Sequence, residues 1–387
     1  MKSIKLMNKI AKVGTDCFDK ETYLVGEDVE NPDAIMVRSA ALHEMEFNPE
    51  LKAIGRAGAG VNNIPVERCA ENGIVVFNTP GANANGVKEL AICALLLASR
   101  DIVDGVKWTD TLVGEEGVAK LVEKGKSKFA GQELAGKTLG VIGLGAIGGM
   151  VANIAVSLGM KVVGYDPYIT IKGAWNLKKN VRCANSYDEL FAVSDYISVH
   201  VPSTPETKCM FCEEAFEKMP NGVRIINLSR GDLANYDDIK KAVASGKVAR
   251  YVTDFPCEEL IGVEHIVTIP HLGASTAESE DNCAVMAAHE LIEYLENGNI
   301  TNSVNFPNAS LPHNGDVRIC LMHKNVPAVI KQISAIVADE GINIENMINC
   351  SKKEYAYTIL EITGTIPDDI TEKLGAVEEM IRINIFR

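Results

Sequence analysis

The sequence lacks several features that define whole classes of protein. No apolar run of its 387 residues approaches the roughly 20 residues that a membrane span needs. Basic residues are too few for non-specific nucleic-acid binding, because 38 Lys and Arg stand against 52 Asp and Glu, a net charge of −14. The N-terminal stretch MKSIKLMNKIAKVG has no continuous apolar segment of the secretory type. We therefore expect a cytoplasmic protein that binds neither membranes nor nucleic acid.

The cysteine spacing favours neither a metal centre nor a disulfide framework. The ten cysteines are dispersed, and the only close pair is Cys209 and Cys212. No second pair and no neighbouring histidine completes a zinc set. We predict reduced thiols, no metal site, and a packing role for both residues at the start of a helix.

Short strand-like segments alternate with helical ones along most of the chain. This alternation predicts parallel sheets covered by helices, and hence an α/β fold. We expect two doubly wound lobes, a substrate domain from 1–92 plus 285–306 and a nucleotide domain from 93–284. Residues 88–110 are expected to form one long helix and residues 277–297 another.

The C-terminal part of the chain has a different pattern. A segment that contains prolines, 307–316, is expected to be a linker. Residues 317–387 read as strand, helix, two strands, helix and strand. We therefore predict a small α+β domain of βαββαβ type after the two lobes.

A glycine-rich turn is the strongest local signal. Gly143, Gly145 and Gly148 follow the strand-like TLGVI and open a helical segment. The first permits a tight turn, the second lets backbone approach a pyrophosphate, and the third lets helix and strand pack closely. The next predicted strand ends on Asp166, whose carboxylate can accept both adenosine ribose hydroxyls and would repel a 2′-phosphate. We predict NAD rather than NADP, with a purely structural glycine turn as the alternative.

Residues suited to hydride-transfer chemistry follow three later strands. A nicotinamide that exchanges hydride with a carbinol needs a proton shuttle, a group that tunes it and a cation for the substrate. Arg230 lies in INLSRGD, Asp254 and Glu259 lie in YVTDFPCEEL, and His271 lies in TIPHLGAST. Doubly wound sheets bind ligands at the carboxyl ends of their strands. Solvated surface groups are the alternative for each, but suitable types in three successive loops favour catalysis.

Several stretches give the chain a resemblance to a known family. VRSA, GRAGAGVNNI, NTPGANANGVKEL, VIGLGAIG, SVHVPSTPETK, INLSRGDL and PHLGAST are similar to the D-isomer-specific 2-hydroxyacid dehydrogenases. The resemblance implies a flavodoxin-like substrate lobe and a Rossmann NAD lobe. It also implies that Arg230 clamps the carboxylate and carbonyl of the 2-oxo acid, that His271 transfers the proton, and that Glu259 orients the His271 ring and favours its charged form.

The same resemblance extends the predicted binding sites. For NAD it implies Gly143, Gly145, Ala146, Ile147, Gly148, Asp166, Val201, Leu228, Ser229, Asp254, Gly273 and Ala274. For the substrate it implies Ser39, Arg56, Asn83, Arg230 and His271. Arg56 is the expected cation for a distal phosphate, and a salt bridge between the lobes is the alternative. Lys88 could add positive charge at the cleft or lie on a helix surface, and the sequence does not decide between these two positions.

The C-terminal pattern resembles an ACT domain, through RICLMHKNVPAVIKQISAIVADEGINIENM. This implies an L-serine effector bound by His323, Asn325 and Asn343, with a dimerisation module that binds no ligand as the alternative. We expect a homodimer or homotetramer that acts on a small phosphorylated 2-hydroxy acid. A reductase of hydroxypyruvate or glyoxylate type is the nearest alternative, and a non-enzymatic NAD-sensing scaffold is a more distant one.

Overall fold

The computed structural model describes all 387 residues, which divide into two compact units. The first unit comprises Met1–Asn83 and Ala277–Arg387, and the second comprises Ala84–Thr276. The chain therefore crosses between the units twice. Each crossing coincides with the start of a helix, whereas the boundaries expected from the sequence, at 92 and 284, fall inside those helices.

A five-stranded parallel sheet begins the first unit. Its elements in chain order are β1 Lys2–Met7, α1 Lys12–Thr15, β2 Tyr23–Gly26, β3 Ala34–Val37, β4 Ala53–Arg56, α2 Val66–Glu71 and β5 Val75–Asn78. The strands lie in the order β2-β1-β3-β4-β5, and every neighbouring pair is parallel. This is the flavodoxin-like order that the family resemblance implied. The four residues of β3, AIMV, are all buried, as a central parallel strand requires.

The second unit is a larger parallel sheet with helices. Its elements are α3 Ala84–Ser99, α4 Ile102–Asp110, α5 Val118–Gly125, β6 Thr138–Ile142, α6 Ala146–Ser157, β7 Lys161–Tyr165, α7 Ile171–Trp175, β8 Val181–Cys183, α8 Tyr187–Val193, β9 Tyr196–Val199, α9 Glu213–Glu217, β10 Val223–Asn227, α10 Tyr236–Ala244, β11 Val248–Thr253 and β12 Ile266–Thr268. The seven strands lie in the order β12-β11-β10-β9-β6-β7-β8. The strand order reverses between β6 and β9, and this switch point is where doubly wound sheets bind nucleotides. The predicted α/β fold class is confirmed.

The prediction of one long helix at 88–110 is wrong, because the structure has two helices there. The break falls between Ser99 and Ile102. At this point the Asp101 carboxylate accepts from Arg250 Nη1 at 2.9 Å, and Ser99 Oγ donates to the Gln132 carbonyl oxygen at 2.5 Å. These contacts come from residues distant in sequence, so the apolar pattern of the segment could not reveal the break.

The two neighbouring cysteines have different environments. Cys212 is partly buried and directly precedes α9, as predicted. Cys209 is exposed, with a φ of 53°, and its backbone N–H donates to the Asp232 carbonyl oxygen at 2.9 Å. The packing interpretation is therefore wrong for Cys209.

The helix α11, Ala277–Asn297, has the predicted bounds and covers the first sheet. Ala284 and Leu291 of this helix are buried against Gly14 and Gly55. A Cβ at Gly14 would lie only 2.5 Å from the Ala284 Cβ, so the close approach requires glycine. No helix of the structure is both long enough and apolar enough to cross a membrane.

The C-terminal residues form the predicted βαββαβ arrangement. The elements are β13 Val317–Lys324, α12 Val329–Asp339, β14 Ile344–Lys352, β15 Tyr355–Ile362, α13 Ile370–Gly375 and β16 Met380–Phe386. The strands form an antiparallel sheet in the order β14-β15-β13-β16. The segment before it, which includes part of the expected linker, is packed, since Phe306 is 0% and Ala309 2% exposed.

A buried ion pair joins this small sheet to the segment that precedes it. Arg318 and Glu361 are each 0% exposed and bonded to each other. Arg318 Nη2 also donates to the Leu311 carbonyl oxygen at 2.7 Å, and Glu361 Oε2 accepts from the Gly315 N–H at 2.8 Å. Both charges are thus fully partnered, which a buried pair needs to offset its desolvation.

Replacing Glu361 by Gln should leave the Arg318 charge buried without its partner. We expect a loss of about 3–5 kcal/mol in the free energy of unfolding of the first unit. Urea unfolding followed by circular dichroism would measure it, with Glu345→Gln, an exposed position on β14, as the control. A midpoint equal to that of the control would contradict the role given to the pair.

Candidate active site

The glycine turn has the geometry that its sequence predicts. Gly143 follows β6 with a φ of +82°, and a Cβ there would lie 2.5 Å from the His200 carbonyl oxygen. A Cβ at Gly148, in the first turn of α6, would overlap the Gly143 carbonyl oxygen. Gly145, the residue before α6, has nothing within 4 Å of its Cβ position. Two glycines thus permit close packing, while the third leaves open space at the helix N-terminus for a phosphate.

Asp166 lies next to this turn, at the end of β7. Its Oδ2 accepts from the Leu144 N–H at 2.8 Å, and its Oδ1 accepts from the Tyr168 N–H at 2.9 Å. A cavity of about 360 Å³ is lined by the turn, by Asp166 and by residues of the α7 region, including Lys172. The carboxylate is therefore held in a fixed position beside the glycine turn, and its contact with an adenosine ribose stays a prediction. Lys172 also lines the cavity and was not predicted from the sequence.

The loop after β10 presents an arginine on a rigid support. Asn227 is 0% exposed, and its Nδ2 donates to the Arg230 carbonyl oxygen at 2.9 Å and to the Tyr251 hydroxyl at 3.1 Å. Ser229 Oγ donates to the Val199 carbonyl oxygen at 2.7 Å. The Arg230 side chain is exposed, with one bond from Nη1 to the Ser229 carbonyl oxygen at 2.6 Å. Its remaining guanidinium donors are available to an anionic ligand.

Asp254 and His271 lie at the ends of the two adjacent strands. Asp254 is 1% exposed, and its Oδ1 has no hydrogen-bond partner. Burial raises the pKa of Asp254, while the charges of His271 and Arg230 act in the opposite direction. The His271 ring is exposed and meets the Phe255 ring edge-on at 4.9 Å between centroids. The structure therefore brings Arg230, Asp254 and His271 within electrostatic range of one another.

Glu259 is placed differently. Its side chain is exposed, and its pKa is lowered by a bond from its own backbone N–H and by one from the Cys257 thiol. No hydrogen bond or charge effect links it to His271. The pairing of Glu259 with His271 therefore stays a prediction, whereas Asp254 is a carboxylate on which the charge of His271 acts.

The remaining residues predicted to hold NAD lie around the same edge of the sheet. Ala146 and Ile147 form the first turn of α6, and the others follow β9, β10 and β12: Val201, Leu228, Ser229, Gly273 and Ala274. Gly273 is buried, and its Cβ position is 3.7 Å from Asp254 Oδ2. The residues of the second unit thus fit a dinucleotide laid across the switch point.

His200, directly after β9, is a residue that the sequence reasoning missed. Its Nε2 is 2.9 Å from Ser198 Oγ, its Nδ1 has no partner, and its carbonyl oxygen packs under Gly143. Burial lowers the pKa of His200 to about 4, so its ring is neutral at physiological pH. The signal in the sequence was its position in SVHVP, directly after a strand that borders the switch point.

The other predicted substrate residues, Ser39, Arg56 and Asn83, lie in the first unit. Arg56 Nε is buried without a partner, and burial and the nearby Arg38 both lower the pKa of Arg56. Arg38 was not predicted, and it pairs with Glu280 at 2.6 Å. This unit therefore carries two neighbouring arginines, of which Arg56 has no carboxylate partner.

Lys88, left open by the sequence, lies on α3. Its Nζ donates to Asn85 Oδ1 at 2.6 Å and lies 3.5 Å from Glu89 Oε1. Both partners belong to the same helix. The side chain is only 16% exposed, so Lys88 does not project freely from the helix surface.

The predicted effector residues all have partners within the small antiparallel domain. His323 is 2% exposed, with Nδ1 2.9 Å from the Lys324 carbonyl oxygen and Nε2 2.9 Å from Thr358 Oγ1. The exposed residues Asn325 and Asn343 donate to the Lys353 carbonyl oxygen and to Glu345 Oε1. A serine ligand would have to replace the hydrogen bonds that His323 makes within the domain. Serine binding stays a prediction.

Comparison with known proteins agrees with this geometry. Residues 93–273 match the family described as D-isomer specific 2-hydroxyacid dehydrogenase, NAD binding domain. The chain is 31% identical to D-3-phosphoglycerate dehydrogenase 2 of Saccharomyces cerevisiae, over 93% of this chain and 79% of that one. The crystal structure of NAD+-bound 3-phosphoglycerate dehydrogenase from Entamoeba histolytica is 28% identical, with a TM-score of 0.61, and covers 79% of this chain and 98% of its own. The chain also shares its fold with a glyoxylate reductase from Paecilomyes thermophila. That structure is 24% identical, with a TM-score of 0.63, and the match covers 78% of this chain and 98% of the reductase.

The fold, the glycine turn and the three charged loops define an NAD-dependent oxidoreductase. The chain belongs to the D-isomer specific 2-hydroxyacid dehydrogenase family. The family, the enzyme class and the cofactor predicted from the sequence are thereby confirmed.

Replacing Gly145 by Ala should weaken NAD binding at least about tenfold without loss of stability. The new Cβ meets no protein atom, but it occupies the open space where the pyrophosphate approaches. Titration with NAD and a thermal melt would measure both effects. Gly105→Ala, in α4, is the matched control, because its Cβ would make only ordinary contacts, 3.6 Å at the closest, and it does not line the cavity beside the glycine turn. NAD affinity equal to that of the control would refute the placement of the phosphates.

Proposed function

We propose that this protein oxidises D-3-phosphoglycerate to 3-phosphohydroxypyruvate with NAD, the reaction that opens L-serine biosynthesis. The observation that carries the choice of substrate is Arg56, a partly buried cation without a carboxylate partner that lies close to Arg38 in the first unit. Its buried Nε has no hydrogen-bond partner, and such a donor calls for an anionic ligand. A substrate phosphate is such a ligand, and relatives that bear the phosphoglycerate dehydrogenase name support it.

The chemistry is assigned to the loops of the second unit. Arg230 holds the substrate carboxylate and the oxygen on C2 with its planar donors, which stabilises charge that develops there. His271 takes the proton of the C2 hydroxyl as the C2 hydride leaves, and it returns a proton in the reverse reaction. The bound NAD supplies the hydride acceptor. Proton and hydride together account for the two electrons and two hydrogens lost by the carbinol.

A carboxylate is needed to stabilise the imidazolium that forms, and two candidates exist. The family resemblance favours Glu259, while the charge interaction in the structure favours Asp254. Because Asp254 is buried and Glu259 is exposed, the charge of Asp254 is less screened by water. We assign the larger effect on His271 to Asp254.

Two other functions fit the structure less well. An unphosphorylated 2-hydroxy acid, as a glyoxylate reductase uses, would leave Arg56 without an anion. A scaffold that only binds NAD would have no use for a supported, exposed Arg230 beside His271. We further propose a homodimer or homotetramer with L-serine as an effector of the small domain, which initial rates measured with and without serine would test.

Replacing Asp254 by Asn should lower kcat/KM for 2-oxo acid reduction by about tenfold or more. Reduction uses the charged His271 ring as proton donor, and removal of the nearby buried carboxylate destabilises that charge. Values of kcat/KM at one pH for Asp254→Asn, Glu259→Gln and the exposed control Glu258→Gln would be compared. A loss in Glu259→Gln alone would restore Glu259 as the partner.

Replacing Arg56 by Ala should raise the KM for D-3-phosphoglycerate by about 10- to 100-fold, because a charge-assisted contact with the phosphate is lost. The KM for D-glycerate, which lacks the phosphate, should change by less than about threefold. Steady-state kinetics with both substrates, in wild type and variant, decides the assignment. If wild type prefers D-glycerate, the proposed substrate is wrong.

A further inference from the structure

A second cavity lies in the first unit along one face of α11. Its volume is about 670 Å³. The helix contributes Asp281, His289, Glu290 and Glu293, and the segment after the helix contributes Thr301 and Asn302. Asn282 and three apolar side chains, among them Val285 and Met286, complete the lining. None of these residues belongs to the nucleotide turn or to the catalytic loops.

Glu290 is the residue of this cavity that needs an explanation. It is only 5% exposed, yet its side chain is ionisable. Its Oε1 accepts from Asn302 Nδ2 at 2.8 Å, while its Oε2 has no hydrogen-bond partner. The ionised form of this group is costly to bury without a partner. A donor from a ligand would remove that cost.

The charges of the lining define the kind of ligand. Asp281 and Glu293 add two more carboxylates, no Lys or Arg lines the cavity, and His289 is the one side chain there that can become cationic. The ligand should therefore be positive. No three His, Cys, Asp or Glu side chains converge to hold a metal ion. An ammonium group is left as the donor, and the apolar lining suits a hydrocarbon chain attached to it.

We propose that this cavity binds a small aliphatic amine, whose ammonium group donates to Glu290 Oε2 while its methylene chain packs against Val285 and Met286. The site is separate from the dehydrogenase chemistry. Its ligand is recognised by one buried charge and by apolar contact, so affinity depends on both the ammonium group and the chain.

Amine binding is linked to a proton. Burial raises the pKa of Glu290 to about 8, so the free carboxyl is mostly protonated at neutral pH. The ammonium group requires the carboxylate, and binding near pH 7 therefore releases a proton, while affinity increases as pH rises toward 8. The other titratable groups that line the cavity are Asp281, His289 and Glu293, all on α11. The lining from α1 and from the segment after the helix, Val13, Thr301 and Asn302, adds none.

Calorimetry on the full-length protein tests the proposal. The probes are n-butylamine, 1,4-diaminobutane and the neutral isostere 1-butanol, measured near pH 7 in buffers of different ionisation enthalpy. We expect the amines to bind with release of about one proton per site and the alcohol not to bind. Glu290→Gln should lower amine affinity about 10- to 100-fold. Glu278→Gln, an exposed position on the same helix outside the cavity, should bind as wild type does.

Two further measurements keep the result clear if Glu290→Gln folds poorly. The proton release is read on wild type itself, and Val285→Phe fills the cavity while Glu290 remains in place. Loss of amine binding in a folded Val285→Phe supports the site. The proposal is overturned if wild type binds neither amine, if 1-butanol binds as tightly, or if binding releases no proton. Unchanged affinity in folded Glu290→Gln or Val285→Phe would also overturn it.

Discussion

In the second unit all seven strands run in the same direction, and the catalytic chemistry depends on that constraint. Parallel strands place all their carboxyl ends at one edge of the sheet, so loops far apart in sequence meet there. The glycine turn after β6 and the loops after β10, β11 and β12 become neighbours in this way. If one of these strands were reversed, its loop would lie at the opposite edge.

Buried polar groups then fix the positions of these loops. Asn227 is entirely buried, and its side-chain amide donates to the Arg230 carbonyl oxygen. The Ser229 hydroxyl donates to a carbonyl oxygen at the end of β9. Asp254 and His200 each keep one buried polar atom without a protein partner. Such atoms are rare in protein interiors and concentrate where a ligand completes the hydrogen bonds. The nucleotide edge is the part of the second unit where this occurs.

Much of this arrangement could be predicted from sequence because its causes are local. Glycine spacing sets the turn from Gly143 to Gly148, and alternating strand and helix patterns set both parallel sheets and the bounds of α11. The features that the sequence did not reveal depend on contacts between residues distant along the chain. The break before α4 depends on Arg250, and the packing of His323 depends on Thr358 across the sheet. Whether Asp254 or Glu259 acts on His271 depends on the path of one loop, which residue spacing does not specify.

The way in which one unit is inserted into the other has a consequence for synthesis on the ribosome. The second unit is one continuous segment, while the first is completed only by residues after 276. The strands of the first sheet emerge early, yet Ile4, Met36 and Phe77 share their core with Ala287 and Leu291 of α11. Until that helix leaves the exit tunnel, the first sheet has an uncovered apolar face. The inserted unit can therefore fold before the first is complete, and the exposed N-terminal strands then need protection from aggregation.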